Sequence, residues 1–375
     1  MNIGILTQPL ELNYGGILQA FALQKTLEHM GFFALVIDHH KRNAFHSRRK
    51  HVLNFLNRIY LRFVKKKDVS VFWDPSITTN DFDVISSKLQ LFKKKNISCT
   101  RIVDTEDLKQ IDDEYQFDGY IVGSDQVWFW SWCPGSFLDF VKRDVVRLFY
   151  AASTGNKSFY NDEKIKQQCI ILASLFNGIS VRESYLVNKV SPILNKDIEF
   201  VLDPTLLLNE KDYLDSVAFQ PNDGNYVLYY ILDMSLEKKT IIDKCADFLS
   251  LPSKNAGPEE RYIRKRNVDL SKCMFPSMDS WISNFKQASF IVTDSFHGVC
   301  FSIIFKKNFL VIGNKSRGLE RFTSLLGLFH LEERMFHADS FMSILKENID
   351  YSNVQQILDN MKKLSIDFLK KHLNN

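Results

Sequence analysis

Short apolar runs that end in polar or glycine-containing turns, each followed by a segment with helical period, recur along this chain and constrain its fold more than any other feature. Ile3–Thr7 reads as a buried strand, and Asn13-Tyr14-Gly15-Gly16 as the turn that follows it. Ile17–Met30 then carries a helical apolar period and stops at Gly31, and Ala34–Asp38 is the next strand. The order returns further on: Gly119–Val122 and Leu148–Ser153 are strands before loops, and Phe290–Thr293 leads into a helix and then Phe309–Ile312. Strands joined by helical crossovers run parallel with helices on both faces, so the expected class is α/β.

A chain of 375 residues exceeds what one core usually holds, so two domains are expected. The polar stretch Asn209–Asn225, with Pro221-Asn222-Asp223-Gly224 inside it, marks the boundary between residues 1–215 and 224–345. Residues 346–375 read as a terminal helix whose stripe of Val354, Ile357, Leu358, Met361, Leu364 and Phe368 docks on the body of the protein.

The net charge of +4 comes from one segment: residues 39–67 hold ten Lys or Arg and no Asp or Glu, interleaved with Phe45, Leu53, Phe55, Ile59 and Phe63. Such a segment either packs on its own domain with a solvated basic face, or lies on an anionic membrane, gaining about 1 kcal/mol per basic residue near the surface. No basic face with interleaved aromatics extends beyond it, so a nucleic-acid partner is not expected. With no apolar run of about 20 residues and no signal-peptide pattern, the expectation is a cytoplasmic protein. The six cysteines are scattered without metal-ligand spacing, so neither structural disulfides nor a metal site is expected.

Candidate chemistry gathers at strand ends. In Ile291–Gly298 a strand closes on Thr293-Asp294-Ser295-Phe296-His297-Gly298, at the edge where α/β proteins bind ligands. A helix N-terminus there favours an anion, so His297 reads as a phosphate contact or general acid–base, or equally as a structural histidine bonded by Asp294. Arg182, in Ser180-Val181-Arg182-Glu183, suits bidentate capture of a carboxylate or phosphate, or an ion pair with Glu183 or Asp203. The glycines of Asn13–Gly16 either let backbone approach a ligand or simply form a tight turn. Ser124, Asp125, Gln126 and Trp128 suit a sugar's hydroxyls and face, or a helix cap beside a core tryptophan. Arg317 and Arg321 suit an anionic acceptor or are solvated helix charges, while His39, His40, His330 and His337 read as surface or cap residues. No G-x-S-x-G elbow surrounds Ser153, which argues against a hydrolase nucleophile.

Six blocks in order carry a further signal: Gly4-Ile5-Leu6-Thr7, Asn13–Gly16 with Leu18–Leu23, Gly123–Trp128, Ser180–Glu183, Leu202-Asp203-Pro204-Thr205 and Thr293–Gly298. Together they resemble the polysaccharide pyruvyl transferases over nearly the whole chain. The resemblance implies two Rossmann-like domains facing across a cleft, a GT-B-like fold, with the C-terminal helix packing back on the first domain. It implies transfer of a pyruvyl group from phosphoenolpyruvate to a sugar of a polysaccharide or its lipid-linked precursor, forming a cyclic ketal and releasing phosphate. Arg182 and His297 would be catalytic, and with Ser295, Phe296 and Gly298 would hold the donor. Asn13, Tyr14, Gly15, Gly16, Ser124, Asp125, Gln126, Trp128 and Arg317 would face the acceptor on the first domain. No redox cofactor is required and no metal is expected. A polyprenyl-diphosphate-linked acceptor would give the basic segment a role at the inner membrane face. The alternatives are a nucleotide-sugar glycosyltransferase of the same architecture and a non-catalytic carbohydrate-binding protein.

Overall fold

The structure, a computed structural model, describes residues 1–40, 59–60, 64, 79–155, 158–262, 268–313 and 318–374. Its first lobe contains β1 (Asn2–Leu6), β2 (Phe33–Val36), β3 (His39–His40), β4 (Val103–Asp104), β5 (Gly119–Asp125), β6 (Val146–Ala152), β7 (Gly178–Val181) and β8 (Ile198–Phe200). Six of these form one parallel sheet in the order β2-β1-β5-β6-β7-β8, and β3 pairs with β4 apart from it. β5 is buried at every residue and β6 at all but its first, the unbroken apolar pattern of strands covered on both faces.

The second lobe holds β9 (Val227–Tyr230), β10 (Ser253–Asn255), β11 (Phe290–Thr293) and β12 (Phe309–Val311), parallel in the order β10-β9-β11-β12. Strand order therefore reverses twice, between β1 and β5 and between β9 and β11. At such points the connections diverge to opposite faces and leave a crevice beyond the carboxyl ends of the strands. The fold is GT-B-like: two Rossmann-like units with their sheets in separate lobes.

The stretch between the lobes is tied down. Asn209 and Asp212 form a capping box on the helix Glu210–Asp215. Beyond it, the backbone N–H groups of Ala218, Gln220 and Asn222 donate to Asp279, Ser283 and Gln287 on the helix Met278–Gln287. One apolar core then runs through both lobes along the helix Tyr14–His29: Tyr14 stacks on Trp281 at 5.2 Å, Phe21 meets Tyr213 at 6.2 Å, and Tyr213 meets Phe301 at 4.8 Å.

The expected turn at Asn13–Gly16 is instead the start of that helix, with extended Asn13 as its N-cap residue and both glycines in the first turn. The terminal helix Tyr351–Leu373 straps the lobes together. Its Tyr351 hydroxyl reaches Lys307 O in the second lobe at 2.5 Å, and its Ser365 hydroxyl accepts from Leu202 N in the first at 3.0 Å. Leu364, expected on the docked stripe, is 56% exposed, because the packed face runs through Val354, Leu358, Ser365, Phe368 and Leu369. Among the described residues no helix is long and apolar enough to cross a membrane.

Candidate active site

The carboxyl edge of the first sheet supplies four charged side chains to one spot. Asp125 ends β5, Arg182 and Glu183 follow β7, and Asp203 follows β8. Arg182 lies at their centre with its side chain 1% exposed. Its Nη1 donates to Asp203 Oδ2 at 2.6 Å, Nη2 to Asp125 Oδ1 at 2.8 Å, and Nε to Glu183 Oε1 at 3.4 Å. The guanidinium carbon also lies 4.4 Å from the centroid of the Phe296 ring, so the face of the group is covered as well as its edges. Of the two readings the sequence left open for Arg182, this arrangement is the buried ion pair. It leaves no free bidentate edge for a small anion.

Asp203 is the busiest member. Its Oδ1 accepts from Thr205 N and Oγ1 at 3.0 and 2.7 Å, and its Oδ2 from Ser124 Oγ at 2.8 Å in addition to Arg182. Burial alone would raise its pKa, but the nearby His297 and Arg182 outweigh that and hold it well below the carboxylate range. Asp125 follows the same pattern, with burial offset by Arg182, His297 and Arg321. Glu183 goes the other way. Its burial outweighs Arg182 and the 2.6 Å hydrogen bond from Ser153, and its pKa is raised.

The second lobe contributes His297, in the first turn of the helix Phe296–Ile304, where Ser295 Oγ accepts from Gly298 N at 3.3 Å. Asp294 does not hold this histidine. It accepts from Leu232 N at 2.6 Å and Lys238 Nζ at 2.6 Å, closing the end of β9. The imidazole reaches across the interface instead, its Nε2 standing 3.7 Å from Asp203 Oδ2 without a hydrogen-bond partner. Its other side rests on Gly15: a Cβ there would fall 2.0 Å from Nδ1. In the sequence the glycine pair reads as letting backbone approach a ligand, and at Gly15 the close approach is to the His297 ring.

Several expected sugar contacts are used otherwise. Trp128 is fully buried among Phe137, Phe149 and Phe159, and Tyr14 is stacked on Trp281 with its hydroxyl donating to Pro276 O at 2.7 Å. Both rings serve the core because large aromatics there bury more apolar area than a cleft wall would. Ser124 is buried, its Oγ spent on Asp203 and its N–H on Gln19, and Asn13 sits beside Gly16. Gln126 is only partly buried, and its carbonyl accepts from Gln8 Nε2. Arg317 and most of the basic segment, residues 41–58, 61–63 and 65–67, lie outside the described residues. His39, expected at the surface, is 1% exposed, with Nε2 donating to Thr7 O at 2.7 Å, and burial lowers its pKa.

Beside the cluster, between the lobes, lies a cavity of about 510 Å³. Tyr160, Tyr185 and Lys189 line it from the first lobe, and Glu320 and Arg321 from the second. Lys189 Nζ lies 5.2 Å from the centre of the Tyr160 ring, and burial pushes the Tyr185 hydroxyl up to about 12. Sequence reasoning missed Tyr160, Tyr185 and Lys189, which belong to no block. Gln19 stands in the block Leu18–Leu23 with no role assigned from sequence, although it is a polar residue inside an apolar run. Among the described residues no three His, Cys, Asp or Glu side chains are grouped so as to hold a metal ion.

With this geometry in place, comparison with known proteins decides the family. Residues 13–316 match the sequence model of the family described as Polysaccharide pyruvyl transferase. The chain belongs to that family. Five of the six ordered blocks, from Asn13 to Gly298, fall inside the matched span of these transferases. No curated protein sequence matches the chain. Among solved structures, the spinosyn rhamnosyltransferase SpnG is similar with a TM-score of 0.50 at 10% identity over 100% of both chains. The UDP-GlcNAc 2-epimerase from Neisseria meningitidis bound to UDP-GlcNAc gives 0.49 at 11% identity, covering 99% of this chain and 100% of that one. The first likeness bears on fold alone, and agrees with the two parallel sheets of this family member.

Proposed function

We propose that this protein transfers the pyruvyl group of phosphoenolpyruvate to a sugar of a polysaccharide or its lipid-linked precursor, forming a cyclic ketal. The observation that carries the reading, beside the family, is the convergence of His297 from one lobe and Arg182 from the other on a single carboxylate oxygen of Asp203.

The donor occupies the interlobe cavity, where Lys189 and Arg321 supply positive charge for its phosphate and carboxylate. Ser295, Phe296 and Gly298 form the helix start that carries His297. Arg182 acts by fixing Asp125, Asp203 and Glu183, and so the carboxylate that faces His297. Proton delivery to the methylene carbon makes C2 electrophilic, and a sugar hydroxyl then adds there and gives up its proton. A second hydroxyl displaces phosphate, closing the ketal with loss of another proton. His297, with one ring nitrogen unpartnered, manages these transfers. No electrons change hands, so the reaction calls for no redox cofactor. A lipid-linked acceptor would bring the basic segment of residues 39–67 to an anionic membrane face.

The test is incubation with phosphoenolpyruvate and a panel of sugars, following inorganic phosphate and ketal formation. His297→Ala should lower turnover by roughly 10²-fold or more while leaving the folded state intact. Absence of phosphoenolpyruvate-dependent product from the wild-type protein on every sugar of the panel would sink the reading.

A further inference from the structure

A second cavity, of about 300 Å³, lies wholly within the first lobe, and no motif or family block points to most of its walls. It opens where strand order reverses, since Leu6 and Thr7 follow β1 and Val122 and Val127 belong to β5 and its loop. That is the crevice position at which α/β sheets bind ligands.

Its chemistry differs in kind from that of the interlobe cavity. Trp132 and Phe140 give it aromatic walls, Thr105 and Ser136 add hydroxyls, and Glu106 and Asp139 add carboxylates, with Lys109 the one Lys or Arg in its lining among the described residues. Among the described lining residues carboxylates outnumber cations, which favours an uncharged guest over an anion. Aromatic faces beside hydrogen-bond acceptors suit the C–H face and hydroxyls of an uncharged ring. The volume is at the lower end of small-molecule sites, about 300 to about 1,000 Å³, which suits a single sugar residue.

The cavity is also wired to the charged cluster. His39, on its wall, donates from Nε2 to Thr7 O at 2.7 Å, and Thr7 Oγ1 donates to Ser124 O at 3.1 Å. Ser124 Oγ in turn donates to Asp203 Oδ2 at 2.8 Å, the oxygen that faces His297. We infer that this first-lobe cavity is the seat of a neutral sugar residue of the acceptor, held by Trp132, Phe140 and Asp139. The inference rests on the pyruvyl-transfer reading for the acceptor's role, though sugar binding is measurable without it.

Gly135 offers a clean probe, because it lines the cavity and a Cβ added there meets nothing within 4 Å. Methyl glycosides of galactose, glucose, mannose and N-acetylmannosamine are titrated against the full-length protein by saturation-transfer NMR, and phosphoenolpyruvate by calorimetry. At least one glycoside should bind the wild type, and Gly135→Trp and Trp132→Ala should each weaken it by roughly tenfold or more with phosphoenolpyruvate affinity unchanged. Saturable glycoside binding that survives both substitutions in folded protein, or no glycoside binding to the wild type, overturns the assignment. If glycoside binding is lost as expected but the wild type binds no phosphoenolpyruvate, the cavity stands as a sugar site and the donor reading falls.

Discussion

The buried cluster around Arg182 and the cavity beside it hold charges of the same kinds under opposite conditions. In the cluster one guanidinium meets three carboxylates, all buried, and its remaining face is covered by Phe296. In the cavity, Lys189 and Arg321 line open volume between the lobes. The first set of charges is enclosed by protein on every side, and the second borders a cavity. Arg182 has the sequence signature of the second kind and the surroundings of the first. Lys189 has no sequence signature and lines the cavity.

The sharpest way to break this contrast is to remove Arg182. Arg182→Ala leaves Asp203, Asp125 and Glu183 buried without their shared counter-charge, and denaturant unfolding should show a loss of about 3–5 kcal/mol. A wild-type midpoint for that variant would show that the cluster does not hold the fold. Gly15→Ala comes next in size. The added methyl displaces His297, and since a misplacement of about 1 Å costs roughly 10²-fold, turnover should fall by that order, with a loss of about 1–3 kcal/mol in stability from overpacking. Unchanged turnover would mean that the contact with Gly15 does not position the imidazole.

Lys189→Ala tests the other side of the comparison. Half-saturation by phosphoenolpyruvate should rise about tenfold, equivalent to about 1.4 kcal/mol, with stability nearly unchanged. An unmoved half-saturation would take the donor out of this cavity.

Acid titration sharpens the cluster itself. The pKa of Asp203 is depressed in the fold, so its contribution to stability is complete above the unfolded carboxylate range and is lost as pH falls through that range toward the folded value. Glu183, with a raised pKa, contributes in the opposite sense: its share is present at low pH and lost as pH rises through the folded value. Asp203→Asn should therefore flatten the acid limb of the unfolding midpoint, and an unaltered limb would remove Asp203 as its source. The smallest effect belongs to Leu364→Ala, within about 0.5 kcal/mol, because that side chain is exposed. A loss above about 1 kcal/mol would contradict the packed face of the terminal helix.

Parallel strands were legible wherever both faces are buried, as in β5, where an apolar run leaves no alternation to misread. The helix start at Tyr14 was not. Glycine pairs signal a turn in local terms, and only His297, 282 positions later, gives the room at Gly15 a use inside a helix. Trp128 shows the same limit, for a polar strand end followed by Trp is spelled alike whether the indole faces a cleft or Phe137 and Phe149.

By itself the sequence determined the α/β class, several of its buried parallel strands and the membership of Arg182, Asp203 and His297 in one family pattern, because periodicity and ordered motifs are properties of the chain. Tertiary structure alone decided that Arg182 is enclosed, that His297 leans on Gly15 and faces Asp203, and that two cavities of contrasting charge flank them. Whether a side chain is enclosed or lines a cavity depends on which distant segments come to surround it, and that is set by packing between lobes and not by its sequence neighbours.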